Sequence, residues 1–205
     1  MIEEITLRYK LRSSAVLVPL AIRLEEHLRD QLDGISRIDR VQTRAKAVDR
    51  FVAKASKEVD GVPKYSDPFS QIQDQVGARI IVFYLSDVTA VSERIGRYFS
   101  HIEKRDLVPE SESEFGYFGL HYVLRTPTDV LDPAWDRSVV PEFFELQIKT
   151  LFQHAWSESN HDLGYKSFSG ELSSNDKRKM AWASAQAWGA DQIFNELFND
   201  PMSRA

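Results

Sequence analysis

Glu145, Gln147 and Lys149 take alternate positions in the run FFELQIKT at residues 143–150. His154, Glu158 and His161 follow at spacings of four and three. Phe144, Leu146 and Ile148 fill the intervening positions, so the first run predicts a strand with one face in a core. The second predicts a helix carrying both imidazoles and the carboxylate on one side. The polar faces of the two elements meet where the chain turns. For the strand alone, a solvated face gives the same pattern.

Upstream, Lys46, Arg50, Lys54 and Lys57 recur at four, four and three, with Val48, Phe51, Val52 and Ala55 opposite. A helix over 46–57 places the four cations within about 80° of one another. An amphipathic helix with a solvated basic face fits this spacing. The four positions hold no acid, however, although i,i+4 pairing favours one. Their repulsion would be relieved by a bound polyanion such as a phosphate chain. Asp74 and Arg79 sit at the mouth and inside the apolar run VGARIIVFYL at residues 76–85. A structural ion pair and a functional role both fit them.

The elements that must position these groups are expected as follows. Leu17, Leu20, Leu24, Leu28 and Leu32 predict a helix to Asp33 that Pro19 starts or kinks and Gly34 ends. A short strand over 37–44 places Arg40, Gln42 and Arg44 on one side. Residues 60–68 form a Gly/Pro-rich loop. The run 76–85 predicts a central strand buried on both faces. Ser86 or Asp87 caps a helix with Val88, Val91, Ile95 and Phe99 on its core side. Strands are expected over 102–108 and 119–126. Between them lie an acidic loop and the glycine-punctuated turn at 115–119, whose Tyr117 suits either a core or the stacking of a base. A last helix runs over 174–199, with Trp182, Trp188, Phe194, Leu197 and Phe198 expected to pack.

With 205 residues, 42% apolar and 28% charged, the chain fits one sizeable globular domain, taken as 1–205. The absence of cysteine excludes disulfides, thiolate metal sites and a cysteine nucleophile, and fits a reducing cytoplasm. The apolar run at 15–22 is short and contains Pro19, so neither a signal segment nor a membrane span is expected. A net charge of −5 argues against non-specific coating of nucleic acid.

In order, TRAK (43–46), DQVGAR (74–79), GYFGLH (116–121), ELQIKT (145–150) and the AW, NH, YK series ending at residue 166 resemble the synthetase domain of the RelA/SpoT family. The resemblance spans roughly residues 40–166 and suggests a small, single-domain alarmone synthetase. It implies an α+β fold, a nucleotidyltransferase-like mixed β-sheet flanked by α-helices. It also implies Mg²⁺-dependent transfer of the β,γ-pyrophosphate of ATP to the 3′-hydroxyl of GDP or GTP, releasing AMP. Arg44 and Arg79 would sandwich the adenine, and Lys46, Lys54 and Lys57 would hold the ATP phosphates. Asp74 and Glu145 would bind Mg²⁺, and Glu145 would also take the proton of the attacking hydroxyl. Tyr117 would stack on the acceptor base, while His121, Gln147, His154 and Asn160 would line the acceptor side. Such a transfer needs positioning and charge neutralisation rather than covalent chemistry.

The chain departs from that pattern in a loop, at Phe115 and His154, where the family often has Asn, and at Asn160. The lysine-bearing loop before the glycine turn reads RDLVPESESE here. Asn160 stands where the family has a glutamate, and a neutral amide does not accept two guanine N–H donors, although it pairs with adenine. An alternative is therefore a toxin-like relative that modifies the 3′-terminal adenosine of tRNA, with Lys177, Arg178 and Lys179 as a basic patch, or an adenine nucleotide. A second alternative is a catalytically silent nucleotide-binding module. A homo-oligomer, formed through the terminal helices, is left open.

Overall fold

In the computed structural model, residues 2–109, 111, 114–116, 118–165 and 172–200 are described. The N-terminal helical stretch comprises α1 (Ile2–Arg12), a π-type turn (Ser13–Leu17) and α2 (Val18–Gln31). Pro19 explains the wide turn before it. It has no N–H to donate backwards, and its ring crowds the preceding carbonyls, so the helix loosens without breaking. Gly34 then closes the exit with a φ of +80°, a conformation that suits glycine.

The next elements are β1 (Ile38–Ala45), α3 (Val48–Ala55) and a small hairpin of β2 (Glu58–Val59) and β3 (Val62–Pro63). A single-turn helix α4 (Pro68–Gln71) and a 3₁₀ turn (Gln73–Gln75) lead into β4 (Val76–Val82). After α5 (Leu85–Tyr98) come β5 (His101–Leu107), β6 (Gly119–Arg125) and β7 (Phe143–Thr150). Helix α6 (Leu151–Tyr165) follows β7 without a loop, and α7 (Ser174–Asn199) is last. The five long strands form one mixed sheet in the order β1-β4-β7-β6-β5. Only β4 and β7 run parallel; the other pairings are antiparallel.

One sheet face is the core. Ala78, Ile80, Leu146, Ile148, Leu120 and Tyr122 pack there with Leu24 and Leu28 of α2 and Val91 and Ile95 of α5. Tyr9, Phe51 and Phe69 join α1, α3 and α4 at its edge, with the Tyr9 and Phe51 rings stacked at 3.7 Å. Burying one such leucine contributes about 2 kcal/mol.

Several expectations are corrected. Helix α3 spans only 48–55, so Lys46 precedes it and Lys57 follows it. Four cations therefore do not share one helical face. Strand β4 is buried on both faces only at Ile80, Ile81 and Val82; Gly77 and Arg79 are half-buried on the face opposite the core. The N-cap of α5 is Tyr84, and Asp87 works from inside the first turn by accepting the Tyr84 N–H at 3.1 Å. Asp87 also takes two bonds from Arg37 Nε and Nη2 at 3.0 and 2.8 Å. On α7, Trp182 is 66% exposed and does not pack as a core residue, whereas Trp188 meets Phe115 edge to face at 5.9 Å and Phe194 stacks on Phe152 at 5.6 Å. Among the described residues, no helix is long and apolar enough to cross a membrane.

Candidate active site

The period-two alternation of β4, β6 and β7 sends one set of side chains away from the core, and the register aligns that set across the sheet. Gln42 lies opposite Arg79, Arg79 opposite Gln147, and Gln147 opposite His121. The adjacent row runs from Arg44 through Gly77 to Glu145. A Cβ at Gly77 would meet nothing within 4 Å, so the row is open between Arg44 and Glu145. Arg44 is exposed and forms no ion pair among the described residues.

Glu145 is the centre of this face. His121 Nδ1 lies 3.1 Å from Glu145 Oε1, and Gln147 Nε2 donates to the same oxygen at 2.9 Å. Burial on its own raises the Glu145 pKa. The two hydrogen bonds and the charges of His121 and Lys46 outweigh it and bring the group down to about 2. The carboxylate is thus ionised at neutral pH. The Gln147 Oε1 atom is buried and without a hydrogen bond among the described residues, an acceptor directed at the site with no donor of its own.

Asp74 reaches the same neighbourhood from the 3₁₀ turn before β4. Lys46 Nζ lies 2.5 Å from Asp74 Oδ2, and Lys54 Nζ lies 3.0 Å from Oδ1 as an ion pair without hydrogen-bond geometry. The acid that the sequence pattern of the cations lacked is therefore supplied by another element. It does not pair with Arg79. Lys46 both holds Asp74 and acts electrostatically on Glu145, so one ammonium couples the two carboxylates.

Helix α6 forms the wall over the other end of the row. Arg79 Nη1 is 2.9 Å from Glu158 Oε1 and 3.4 Å from His154 Nδ1. Burial above all, then the Arg79 charge, lowers the His154 pKa. Lys149, on the polar face of β7, is 3% exposed and donates to Ser157 Oγ at 3.1 Å. Burial, reinforced by Arg79, pulls its pKa to about 8 against the pull of Glu158 and Glu145. The signal for this burial was the missing loop. A helix beginning at Leu151, directly after the strand, must fold back over the strand's last residues.

The structure thus brings together Lys46, Lys54, Asp74, Arg79, His121, Glu145, Gln147 and His154. It sets Lys57 apart, exposed beyond the end of α3. Asn160 lies six residues beyond His154, about 120° around the helix from the His154 face. Tyr117 and Lys166 fall outside the described residues. Ser157 completes the site without having been singled out from the sequence, whereas Glu158, placed by the helical spacing on one face with His154, meets Arg79 there.

The donor set suits a hard divalent cation. Asp74 and Glu145 offer carboxylate oxygens as ligands, and no thiolate competes. Among the described residues, no cluster of three or more His, Asp or Glu side chains forms an all-protein cage. Mg²⁺ accepts such a site, since it binds one or two carboxylates and fills its octahedron with water and phosphate oxygens.

Residues 43–169 match the family model described as a region found in RelA / SpoT proteins. The chain is 28% identical over 193 residues to GTP pyrophosphokinase YjbM of Bacillus subtilis (strain 168), covering 88% of this chain and 86% of that protein. Its structure resembles the crystal structure of small alarmone synthetase 1 from Bacillus subtilis. The TM-score is 0.70 at 26% identity, over 93% of this chain and 94% of that one. The crystal structure of small alarmone synthetase 1 bound to its product pppGpp gives a TM-score of 0.69 at 28% identity, over 88% and 93% of the two chains.

Proposed function

We infer the reaction of this chain from the premise that it belongs to the RelA/SpoT family, whose region it carries over residues 43–169. The chain is a pyrophosphokinase that makes (p)ppGpp, as its similarity to YjbM and to the pppGpp-bound synthetase supports. ATP donates its β,γ-pyrophosphate to the 3′-hydroxyl of GDP or GTP. The acceptor oxygen bonds to the β-phosphorus, the bond from that phosphorus to the α,β-bridging oxygen breaks, and AMP leaves. The hydroxyl proton goes to Glu145 and from there to solvent.

The observation that carries this reading is that Lys46, 2.5 Å from Asp74 Oδ2, also acts electrostatically on the ionised Glu145, at the edge of the Arg79–Gln147–His121 row. Lys46 and Lys54 suit the triphosphate, and binding it would exchange their partner Asp74 for phosphate oxygens. Asp74 and Glu145 would hold Mg²⁺, which supplies charge neutralisation on the transferred group. Arg44 and Arg79, on adjacent strands of the open face, suit the two sides of the adenine. The orphan acceptor of Gln147 beside Glu145 suits a ribose hydroxyl, which brings a donor. A carboxylate held near a pKa of 2 is a weak base, far from the value that favours proton transfer at neutral pH. Glu145 therefore contributes more by holding the hydroxyl and the cation than by keeping the proton.

The direct test offers ATP labelled in its β,γ-phosphates with Mg²⁺ and, separately, GDP, GTP, ATP or deacylated tRNA. Label on GDP or GTP with matching AMP is expected. Label only on tRNA or ATP would replace the acceptor, and no AMP from any mixture would leave a silent binding module.

A further inference from the structure

A second cavity, of about 900 Å³, opens behind the turn that carries Asp74, and it is distinct from the reaction site. Gln73 and Gln75 line it, but none of Lys46, Lys54, Asp74, Arg79, His121, Glu145 or Gln147 does. Its walls come from α1, the α4 turn and the connection from β6 to β7. Its size falls in the range of organic ligand sites.

The chemistry of the lining is uneven. Val16, Phe69 and Ile72 give it an apolar, largely buried floor. The rim carries Arg8, Arg12, Arg125 and Arg137 against only Asp67 and Glu142, an excess of positive charge on a chain whose net charge is −5. Both acids are already engaged. Glu142 pairs with Arg125 at 2.5 Å, and Asp67 accepts from Ser70 Oγ at 2.5 Å and the Phe69 N–H at 3.2 Å to cap α4. Among the described residues, Arg8, Arg12 and Arg137 form no ion pair, although Asp67 acts on Arg8 and Arg12 from a distance. Arg12 Nε donates to the carbonyl of Val139 at 2.7 Å and its Nη1 to that of Phe69 at 3.3 Å, so these hydrogen bonds go to backbone carbonyls, and its guanidinium lies 5.7 Å from the Phe69 ring centroid. Burial first, and then the nearby charge of Arg8 with Tyr9 and Asp67 opposing, lowers the Arg12 pKa. Arg8 lies over the Phe69 ring at 4.2 Å, and Arg137 is exposed, with no ion pair among the described residues.

An apolar floor under three guanidinium groups that form no ion pair among the described residues matches one kind of ligand. We propose that this cavity is a second binding site, for an organic anion that lays an apolar body on Phe69 and Ile72 and presents a phosphate or carboxylate to Arg8, Arg12 and Arg137. The planar guanidinium fork binds either anion by paired hydrogen bonds. Neither the apolar body nor the charge suffices alone, because each satisfies only half of the lining.

Titration calorimetry on the full chain tests this with phenyl phosphate, benzoate, phenol and inorganic phosphate. Phenyl phosphate or benzoate should bind, and whichever binds more tightly identifies the headgroup. Phenol and inorganic phosphate should each bind at least about tenfold more weakly. In the doubly reversed variant Arg8→Glu/Arg137→Glu, affinity should fall at least about tenfold while the ATP KM stays within about twofold. Both positions are exposed, and an unchanged melting temperature verifies the fold of the variant. Absence of binding by both organic anions, equal binding by the reversed variant, equal binding of phenol, or competition by ATP would each overturn the proposal.

Discussion

Lys46 Nζ stands 2.5 Å from Asp74 Oδ2, and the backbone N–H of Lys46 donates to the carbonyl of Gln75 at 2.8 Å. Main chain and side chain of one residue thus tie the end of β1 to the turn that presents Asp74. Lys54 adds a second ammonium at 3.0 Å, whereas Lys57 is exposed past the helix end. The three lysines are therefore not equivalent. Lys46→Met and Lys54→Met are each expected to weaken ATP binding about tenfold or more, the cost of one charge-assisted contact to phosphate. Lys57→Met should change it by less than about threefold. Titration with a non-hydrolysable ATP analogue measures all three, and equal losses would restore the single cationic face that the sequence spacing suggested.

Glu145 is held by two donors on one oxygen and is strongly ionised. Glu145→Gln keeps the shape and removes the charge. Turnover is expected to drop about 10²- to 10⁴-fold, because the lost charge holds the cation and the acceptor hydroxyl where the transition state needs them. Steady-state rates of AMP release provide the measurement. Turnover like that of wild type would remove Glu145 from the reaction.

Asp191 on α7 is buried and accepts from Thr150 Oγ1 at 2.8 Å at the junction of β7 and α6. Burial raises its pKa from 3.8 to about 6, with the Thr150 bond opposing. The folded chain binds this proton more tightly than the unfolded chain, so the group's stabilising contribution is present below about pH 4 and is lost as pH rises to about 6. Asp191→Asn removes that dependence. Its stability relative to wild type should rise by up to about 3 kcal/mol between pH 4 and pH 7. Urea unfolding at several pH values measures the difference, and a flat difference would show that Asp191 is not the buried acid described.

Strand positions were legible because alternation is local. Glu145 and Gln147 sit on one face of β7 whatever the rest of the chain does, and the same holds for Arg40, Gln42 and Arg44 on β1. The apolar run of β4 marked a central strand, but its open face at Gly77 and Arg79 depends on where α6 ends, which no local pattern states. Helical spacing misled at 46–57, because α3 ends at Ala55 and Lys46 lies in the strand's exit; the cation pattern survived while its element did not. The partner of those cations was invisible for a different reason. Asp74 is 28 residues from Lys46, and only the antiparallel pairing of β1 with β4 brings the two together. The same non-locality hid the Arg79–Glu158 pair and the burial of Lys149, since both require α6 to fold back on the sheet. The glycine-flanked turn left Tyr117 suited to a core or to stacking on a base, and only the family resemblance chose the base.

The claim on which the rest depends is that Asp74 and Glu145 hold one shared divalent cation. Mn²⁺ affinity, followed by its electron paramagnetic resonance signal in the presence of a non-hydrolysable ATP analogue, tests it in wild type, Asp74→Asn, Glu145→Gln and the double variant. Each single substitution should weaken Mn²⁺ binding about tenfold or more, and the double variant should be hardly worse than either, as for two ligands of one ion. Loss confined to one variant, or strictly additive losses in the double variant, would contradict a shared ion.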